Sequence, residues 1–443
     1  MSTWPIRSDG SATFNDAVTA GASGIAASAT SMSYATMIAN LAGQLVDGDT
    51  ILFGSGGGTI TATASILYGN DDISILGQLD AIPTIDMLGL YRIKPLDANN
   101  SNHNNLIIKD PNNSGIEWQS TGTGTDFTGK VSNVYVSGSS NQAFSVEPAT
   151  NDTFHIEADS VVGANNTDDG WSMHTGATAN VRNSVFSGNS QGFAGINGTT
   201  TKFYNCMFLD NNTGGTSADA FLGLDADSTT CTAEFYDCIF DGNIVTSPAN
   251  ITRVPTFKFS RCKFYGNYVS KSTSVDDAII HLGTTGTRKV IADFDDCDFY
   301  RSITGKGMLL LRGTTSEYTI NNCRITDTIK NSTRSIFTES GSDSSITNNE
   351  FRHLGLAFDN NNGAVISNNN FIDVDAIGGA GAAITGSTAH FPDSLFLQIS
   401  PTPCVTARTR NQIIYDIVVA LGGVVTRPVT RNSLLENWLD AVS

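Results

Sequence analysis

The chain of 443 residues carries a formal net charge of −18, only 15% of its residues are charged, and Asn, Ser, Thr and Gly are abundant. This mixture suits short strands joined by polar turns better than long helices, and the acidic balance argues against phosphate backbones or anionic lipid as partners. The first residues show no basic stretch leading into an apolar core, and no apolar run is long enough to span a bilayer. The expectation is synthesis in a cytoplasm, with no secretory signal, no membrane insertion and no nucleic-acid partner.

Along the chain, Ser33 is a candidate N-cap for a helix in which Tyr34, Met37, Ile38, Leu41 and Leu45 recur at helical spacing before Asp47-Gly48. Residues 1–48 are therefore expected to form an N-terminal segment and capping helix. From residue 49 the pattern turns strand-like, and Ile73, Ile75 and Gly77 in DDISILGQ read as an early coil. Arg92-Ile93-Lys94 comes next. The stretch NNTDDGWSMH, Asn165 to His174, then sets Asp168 and Asp169 close to a histidine.

Eight copies of one pattern begin at Val181: VRNSVFSGN, FYNCMFLDN, FYDCIFDGN, FSRCKFYGN, FDDCDFYRS, INNCRITDT, ITNNEFRHL and ISNNNFIDV. The fourth position reads Ser184, Cys206, Cys238, Cys262, Cys297, Cys323, Asn349 and Asn369, with an apolar residue three places earlier and Phe or Ile two places later. The two-residue step has the period of a strand with one buried face. The three-residue step breaks that period, so a bend must fall between two inward positions. The residue just before the aligned position is Asn or Asp in every copy except the one with Arg261, and these side chains tolerate left-handed backbone best after Gly. The motif is strand, left-handed bend, strand.

The copies recur every 20 to 35 residues, as in a solenoid whose coils share a core and carry insertions at an outward turn. This arrangement resembles the right-handed parallel β-helix of pectin-lyase-like proteins over residues 49–400, which implies an all-β solenoid, and the segment before it resembles the N-terminal helical cap of that fold. Stacked coils would put Cys206, Cys238, Cys262, Cys297 and Cys323 in one inward column at roughly 4.8 Å steps, longer than the ~3.8 Å Cβ separation of a disulfide. Buried, reduced thiols acting as small hydrophobes are expected. Cys231 and Cys404 fall outside the column.

TRNQIIYDIV from Thr409 and TRNSLLENWL from Thr430 place apolar pairs at helical spacing, with Gly422, Gly423 and Pro428 between them. Residues 401–443 thus read as a small C-terminal α-helical module, and the two segments are similar to tails of phage structural proteins. That resemblance implies a bacteriophage virion protein made in the host cytoplasm: an appendage, fibre or head-decoration protein. It would form a homotrimer, contact other virion proteins and meet host surface polysaccharide.

The alternative is a tailspike-like depolymerase that hydrolyses or lyses host surface polysaccharide, since such solenoids often carry such enzymes. Asn166-Thr167-Asp168 resembles the first catalytic motif of polygalacturonases, which makes Asp168 and Asp169 the candidate catalytic residues. The remaining motifs of that family do not follow, because Arg92-Ile93-Lys94 precedes this stretch and no Gly-His-Gly occurs. Glycoside hydrolysis needs only two carboxylates brought together by stacked coils, so Asp225, Asp227, Asp276 and Asp277 are further candidates. The default reading of each Asp is a solvated turn residue. The acidic run Asp293, Asp295, Asp296 and Asp298 lacks the spacing of a calcium loop, and His174 and His281 lack a ligand spacing. No metal and no cofactor is expected.

Overall fold

A computed structural model describes residues 47–390, apart from 49, 54–58, 63–64, 78–81, 197, 212–221, 226–230, 246–254, 266–267, 270–277, 283–289, 302–306, 312–315, 328–333, 339–342, 360–363, 379–383 and 386. The capping helix expected before residue 46 and the helical module expected from residue 401 lie outside the described residues. The chain divides into two compact units after Phe257.

In the first unit most coils repeat one plan, in which a longer strand is followed by a bend, a short strand, a corner and a strand of a second sheet; in Ser101–Lys109 and Asp126–Ser137 the first two strands run together as one. The long strands Thr153–Asp159, Ala177–Arg182, Thr200–Tyr204 and Cys231–Tyr236 pair in parallel, with Ala158, Val181, Phe203 and Phe235 as successive partners. The short strands Val162–Ala164, Val185–Ser187, Met207–Leu209 and Ile239–Asp241 follow in the same way, with Phe186, Phe208 and Phe240 in register. The other sheet runs in parallel through Ile66–Tyr68, Ile93–Pro95, Ile116–Gln119, Phe144–Glu147, Asp169–Met173, Gln191–Ile196 and Leu222–Asp225. This is a parallel β-solenoid, all-β among the described residues.

The second unit repeats the plan. Phe294, Ile320, Ile346 and Ile366 are successive partners on one set of strands, and Phe299, Ile325, Phe351 and Phe371 on another. Ala278–Leu282, Gly307–Leu311, Arg334–Thr338, Leu356–Asp359 and Ala376–Gly378 form its five-stranded parallel sheet.

The bend is where the sequence pattern requires it. Asn183, Asn205, Asp237, Arg261, Asp296, Asn322, Asn348 and Asn368 all have φ between 51° and 59°. Where the apolar residues beside a bend are aromatic, they stack ring on ring with their partners of the neighbouring coil, as in Phe203–Phe235 at 5.0 Å and 5° and Phe264–Phe299 at 4.8 Å and 3°. Burying each ring stabilises by roughly 1.5–3 kcal/mol.

A left-handed bend interrupts the ladder and leaves backbone groups needing partners. The side chain at the aligned position of the next coil supplies one such partner: Cys297 N–H donates to Cys323 Sγ at 3.4 Å and Cys323 N–H to Asn349 Oδ1 at 2.8 Å. Each thiol, with one S–H to donate, stands within reach of two carbonyls, one on the preceding coil and one two residues back: Cys206 Sγ is 3.5 Å from Val181 O and 3.4 Å from Tyr204 O, Cys238 3.6 Å from Phe203 O and 3.4 Å from Tyr236 O, Cys297 3.5 Å from Phe259 O and 3.4 Å from Asp295 O, and Cys323 3.5 Å from Phe294 O and 3.2 Å from Asn321 O. Where the column continues as asparagine the same bond recurs, from Asn349 Nδ2 to Ile320 O and from Asn369 Nδ2 to Ile346 O, both 2.8 Å. The thiols are free and buried, as expected. They are also hydrogen-bond donors, which goes beyond small hydrophobes. Cys231, outside the column, is buried and accepts from Thr199 Oγ1 at 3.6 Å; Cys404 lies outside the described residues.

At the corner after the short strand, asparagine takes over the same task. Asn166 Nδ2 donates to Asn189 Oδ1 (2.8 Å), Asn189 Nδ2 to Asn211 Oδ1 (3.1 Å) and Asn211 Nδ2 to Asn243 Oδ1 (2.9 Å), all within the first unit and all buried. Just before this ladder the positive-φ residues of successive coils are Asp110, Gly138, Asn165, Gly188, Asp210 and Gly242. Oδ1 of Asp110, Asn165 and Asp210 leans over the glycine of the next coil, where a Cβ would collide with it.

Candidate functional site

The second sheet of the first unit carries the densest set of chemically capable side chains away from the core. Strand alternation builds it. In Ile116–Gln119, Ile116 and Trp118 point into the core and Glu117 and Gln119 outward; in Phe144–Glu147, Phe144 and Val146 point in and Ser145 and Glu147 out. In Asp169–Met173, Trp171 and Met173 point in and Ser172 out. Register then sets Glu117, Ser145 and Ser172 in one outward column, and Gln119 with Glu147 in the next. The pairing of Val146 with Met173 brings His174 beside Glu147.

Glu117 anchors one end of this face. Its carboxylate, with a side chain only 2% exposed, holds the Arg92 guanidinium, Lys94 Nζ at 3.0 Å and Asn113 Nδ2 at 3.1 Å. Ser145 and Ser172 are small and sunk to 0% and 2% exposure between longer neighbours, which makes them a floor. Glu147 is half-buried and accepts from Ser145 Oγ at 2.8 Å and Gln119 Nε2 at 3.3 Å. His174 Nε2 stands 3.9 Å from Glu147 Oε1, beyond hydrogen-bond range, and has no hydrogen-bond partner among the described residues. The Nε2 atom is shut off from solvent, although both side chains are in part exposed.

Asp168 stands at the corner that leads into this sheet. It is half-buried, its Oδ2 accepts from Gln142 Nε2 at 3.4 Å, and its backbone N–H donates to Asn141 O at 3.0 Å. Asp169 opens the strand, in phase with Trp171 and Met173, and is 4% exposed. It is a buried residue, in contrast to the solvated turn position read as the default. Asn166, which gave the stretch its polygalacturonase look, is a rung of the buried asparagine ladder, and its Oδ1 accepts from Ser139 N–H at 2.9 Å.

The other sequence candidates are scattered. Asp225 ends Leu222–Asp225, opposite Ile196. His281 lies in Ala278–Leu282 of the second unit. Asp227, Asp276 and Asp277 lie outside the described residues. In the acidic run, Asp295 accepts from Asn321 Nδ2 at 3.0 Å and Asp296 from Asn322 Nδ2 at 3.4 Å, so inter-coil amides engage these carboxylates. Burial pushes the Asp293 carboxyl up, and Asp295 beside it adds to the effect. Among the described residues no group of three or more His, Cys, Asp or Glu is placed to hold a metal ion.

Sequence reasoning missed Glu117, Gln119 and Glu147, although IEWQ and FSVE each alternate apolar and polar residues and stand 28 residues apart. It also gave no role to His103, a core residue whose Nε2 lies 3.0 Å from Tyr68 Oη. Burial pushes its pKa down to about 3, so the ring is a neutral packing element at any physiological pH.

No protein-family model and no curated protein matches the sequence. Among solved structures, the chain is similar to the Agl-KA catalytic domain (13% identity, TM-score 0.38, covering 80% of this chain and 65% of that one). It is also similar to the A-module of the Azotobacter vinelandii mannuronan C-5 epimerase AlgE6 (12%, 0.38, 81% and 94%). A third is the catalytic unit of the thermostable GH87 α-1,3-glucanase from Streptomyces thermodiastaticus strain HF3-3 (10%, 0.30, 80% and 65%). The chain thus spans about two thirds of the length of the first and third of these. At such identities and scores the likeness says nothing of activity.

Proposed function

We propose that the protein is a glycan-engaging β-solenoid, working as a virion appendage, fibre or head-decoration protein that grips host surface polysaccharide along the outward face around Glu147. The observation that carries this reading is the in-register pair of polar columns, in which Gln119, Glu147 and His174 stay half-buried and keep hydrogen-bonding capacity above a floor of Ser145 and Ser172. A linear polymer of hydroxyl-bearing units suits donors and acceptors that recur over three neighbouring coils, about 4.8 Å apart. Affinity electrophoresis of the full chain through gels containing host polysaccharide tests it. Ser145→Trp, which fills the floor, should abolish retardation while the far-UV spectrum stays that of the parent; unchanged retardation would refute the assignment to this face.

A second reading, cleavage of the bound glycan, is favoured by the 3.9 Å approach of His174 to Glu147. It predicts new reducing ends or unsaturated sugars on incubation, lost in Glu147→Gln. Homotrimer assembly through residues 401–443 completes the appendage proposal. Light scattering should then report a trimer for the full chain and a folded monomer after deletion of 405–443.

A further inference from the structure

We infer that the polysaccharide taken by this face is uncharged. The inference rests on the glycan reading above and adds the class of the ligand. The cations on this face, Arg92 and Lys94, already share the carboxylate of Glu117, which is 2% exposed on its side chain. A uronate or sulfate drawing either cation away would weaken the compensation of a buried carboxylate, which is costly.

Apart from the imidazole of His174 beside Glu147, the other ionisable groups set against the ligand path are carboxylates. Glu147 lies on the second outward column and Asp168 at the entry corner. Around them stand Gln119, Gln142, Asn113, Ser145 and Ser172, which donate and accept without charge. Two cations therefore face three carboxylates before the buried Asp169 is counted. The net charge of −18 over the chain adds a repulsive field against an approaching polyanion.

For a neutral glycan the same groups are an asset. Sugar hydroxyls donate to Glu147 and Asp168 in charge-assisted bonds, stronger than neutral ones, and the amides and serines satisfy the ring and hydroxyl oxygens. The face selects for hydroxyl donors and against carboxylate or sulfate acceptors.

The test uses the full chain immobilised on a sensor at low salt, with dextran, mannan and laminarin as neutral probes and dextran sulfate and polygalacturonate as anionic ones. At least one neutral probe should bind about tenfold or more tighter than either anionic probe. The double variant Glu147→Gln, Asp168→Asn should weaken the neutral probe and narrow or reverse the preference. If an anionic probe binds as tightly as the neutral ones and Ser145→Trp removes that binding, the inference falls and the glycan reading stands. If the preference for neutral probes persists unchanged in the double variant, the charge argument is wrong. If none of the five probes binds, the glycan reading itself falls, and the inference with it.

Discussion

Replacing Asn189 by alanine should do more damage than its single side chain suggests. Asn189 is 1% exposed and its amide makes four bonds. Nδ2 donates to Gly163 O at 2.9 Å and to Asn211 Oδ1 at 3.1 Å; Oδ1 accepts from the backbone N–H of Asn166 at 3.1 Å and from Asn166 Nδ2 at 2.8 Å. Alanine strands the Asn166 N–H and one Asn166 amide hydrogen and removes a second bond to Gly163 O, which keeps its ladder partner in the paired strand Val185–Ser187, whereas Asn211 Oδ1 keeps the backbone N–H of residue 189 at 3.1 Å. At about 1–3 kcal/mol for each of the two groups left unsatisfied and about 1 kcal/mol for the bond lost at Gly163, and with some relaxation, the loss is about 3–6 kcal/mol. That is a large share of the roughly 5–15 kcal/mol by which a folded domain is stable.

Urea denaturation followed by the indole emission of Trp118 and Trp171, both fully buried in this unit, should show a midpoint lower by about 1–2 M at a slope near 3 kcal/mol per M. Because a solenoid fails locally, amide exchange at residues 161–173 should accelerate before that of distant coils. Asn180→Ala is the control. Its Nδ2 bonds Glu157 Oε1 at 2.6 Å on the outward face, and its loss should cost about 0.5–1 kcal/mol. A cost below about 1 kcal/mol for Asn189→Ala, with exchange unchanged, would refute the claim that the ladder holds the corner.

Native protein should label little with a thiol reagent and denatured protein almost fully, and the hydrogen bonding of the column predicts an unusual ranking. Cys323→Asn, which keeps an acceptor for the Cys297 N–H, should stay within about 1 kcal/mol of the parent, while Cys323→Val, which leaves that buried N–H unsatisfied, should lose about 1–3 kcal/mol; the opposite order would count against hydrogen bonding by the thiol. Gly188→Ala meets both a φ of 65° and the Asn165 Oδ1, whereas Gly89 has a φ of 68° with open space around it. Gly89→Ala should therefore cost only backbone strain of about 1 kcal/mol and Gly188→Ala clearly more, as read by thermal unfolding. Hydrogen bonds, led by Ser120 and joined by the N–H groups of Thr125, Gly122 and Gly124, hold the Asp152 carboxyl below the usual carboxylate range. A depressed native pKa means that the unfolded chain binds the extra proton, so the contribution is complete above the unfolded value of about 4 and fades as pH falls through the native one. The stability difference between parent and Asp152→Asn should shrink on acidification from pH 5 to 3, and a difference that grows would contradict this.

The bend was legible because two independent signals coincide at one residue. The break in the two-residue period demands a turn between inward positions, and Asn or Asp there accepts left-handed backbone; Arg261, without that chemical advantage, adopts the same geometry at φ 53°. The phenylalanine registers follow from the same alignment. The asparagine ladder was not legible, although Asn189, Asn211 and Asn243 close three quoted copies, because a buried polar rung carries no apolar periodicity. The face around Glu147 escaped for another reason. Glu117 and Glu147 belong to strands outside the repeated motif, His174 follows another, and only inter-coil register brings them together. Asp168 was singled out by likeness to a catalytic motif whose asparagine here has a packing role.

The alternation of Asp or Asn with Gly at the corner of the first unit bears on how such a chain can be lengthened or shortened. Because Asp110, Asn165 and Asp210 each overhang the glycine of the next coil, the smallest unit that repeats faithfully is two coils. Duplicating or deleting one coil would set two overhanging side chains against each other, or two glycines with nothing between them. Insertions and losses tolerated by this stretch of the gene should therefore come in even numbers of coils, a parity rule written in backbone handedness.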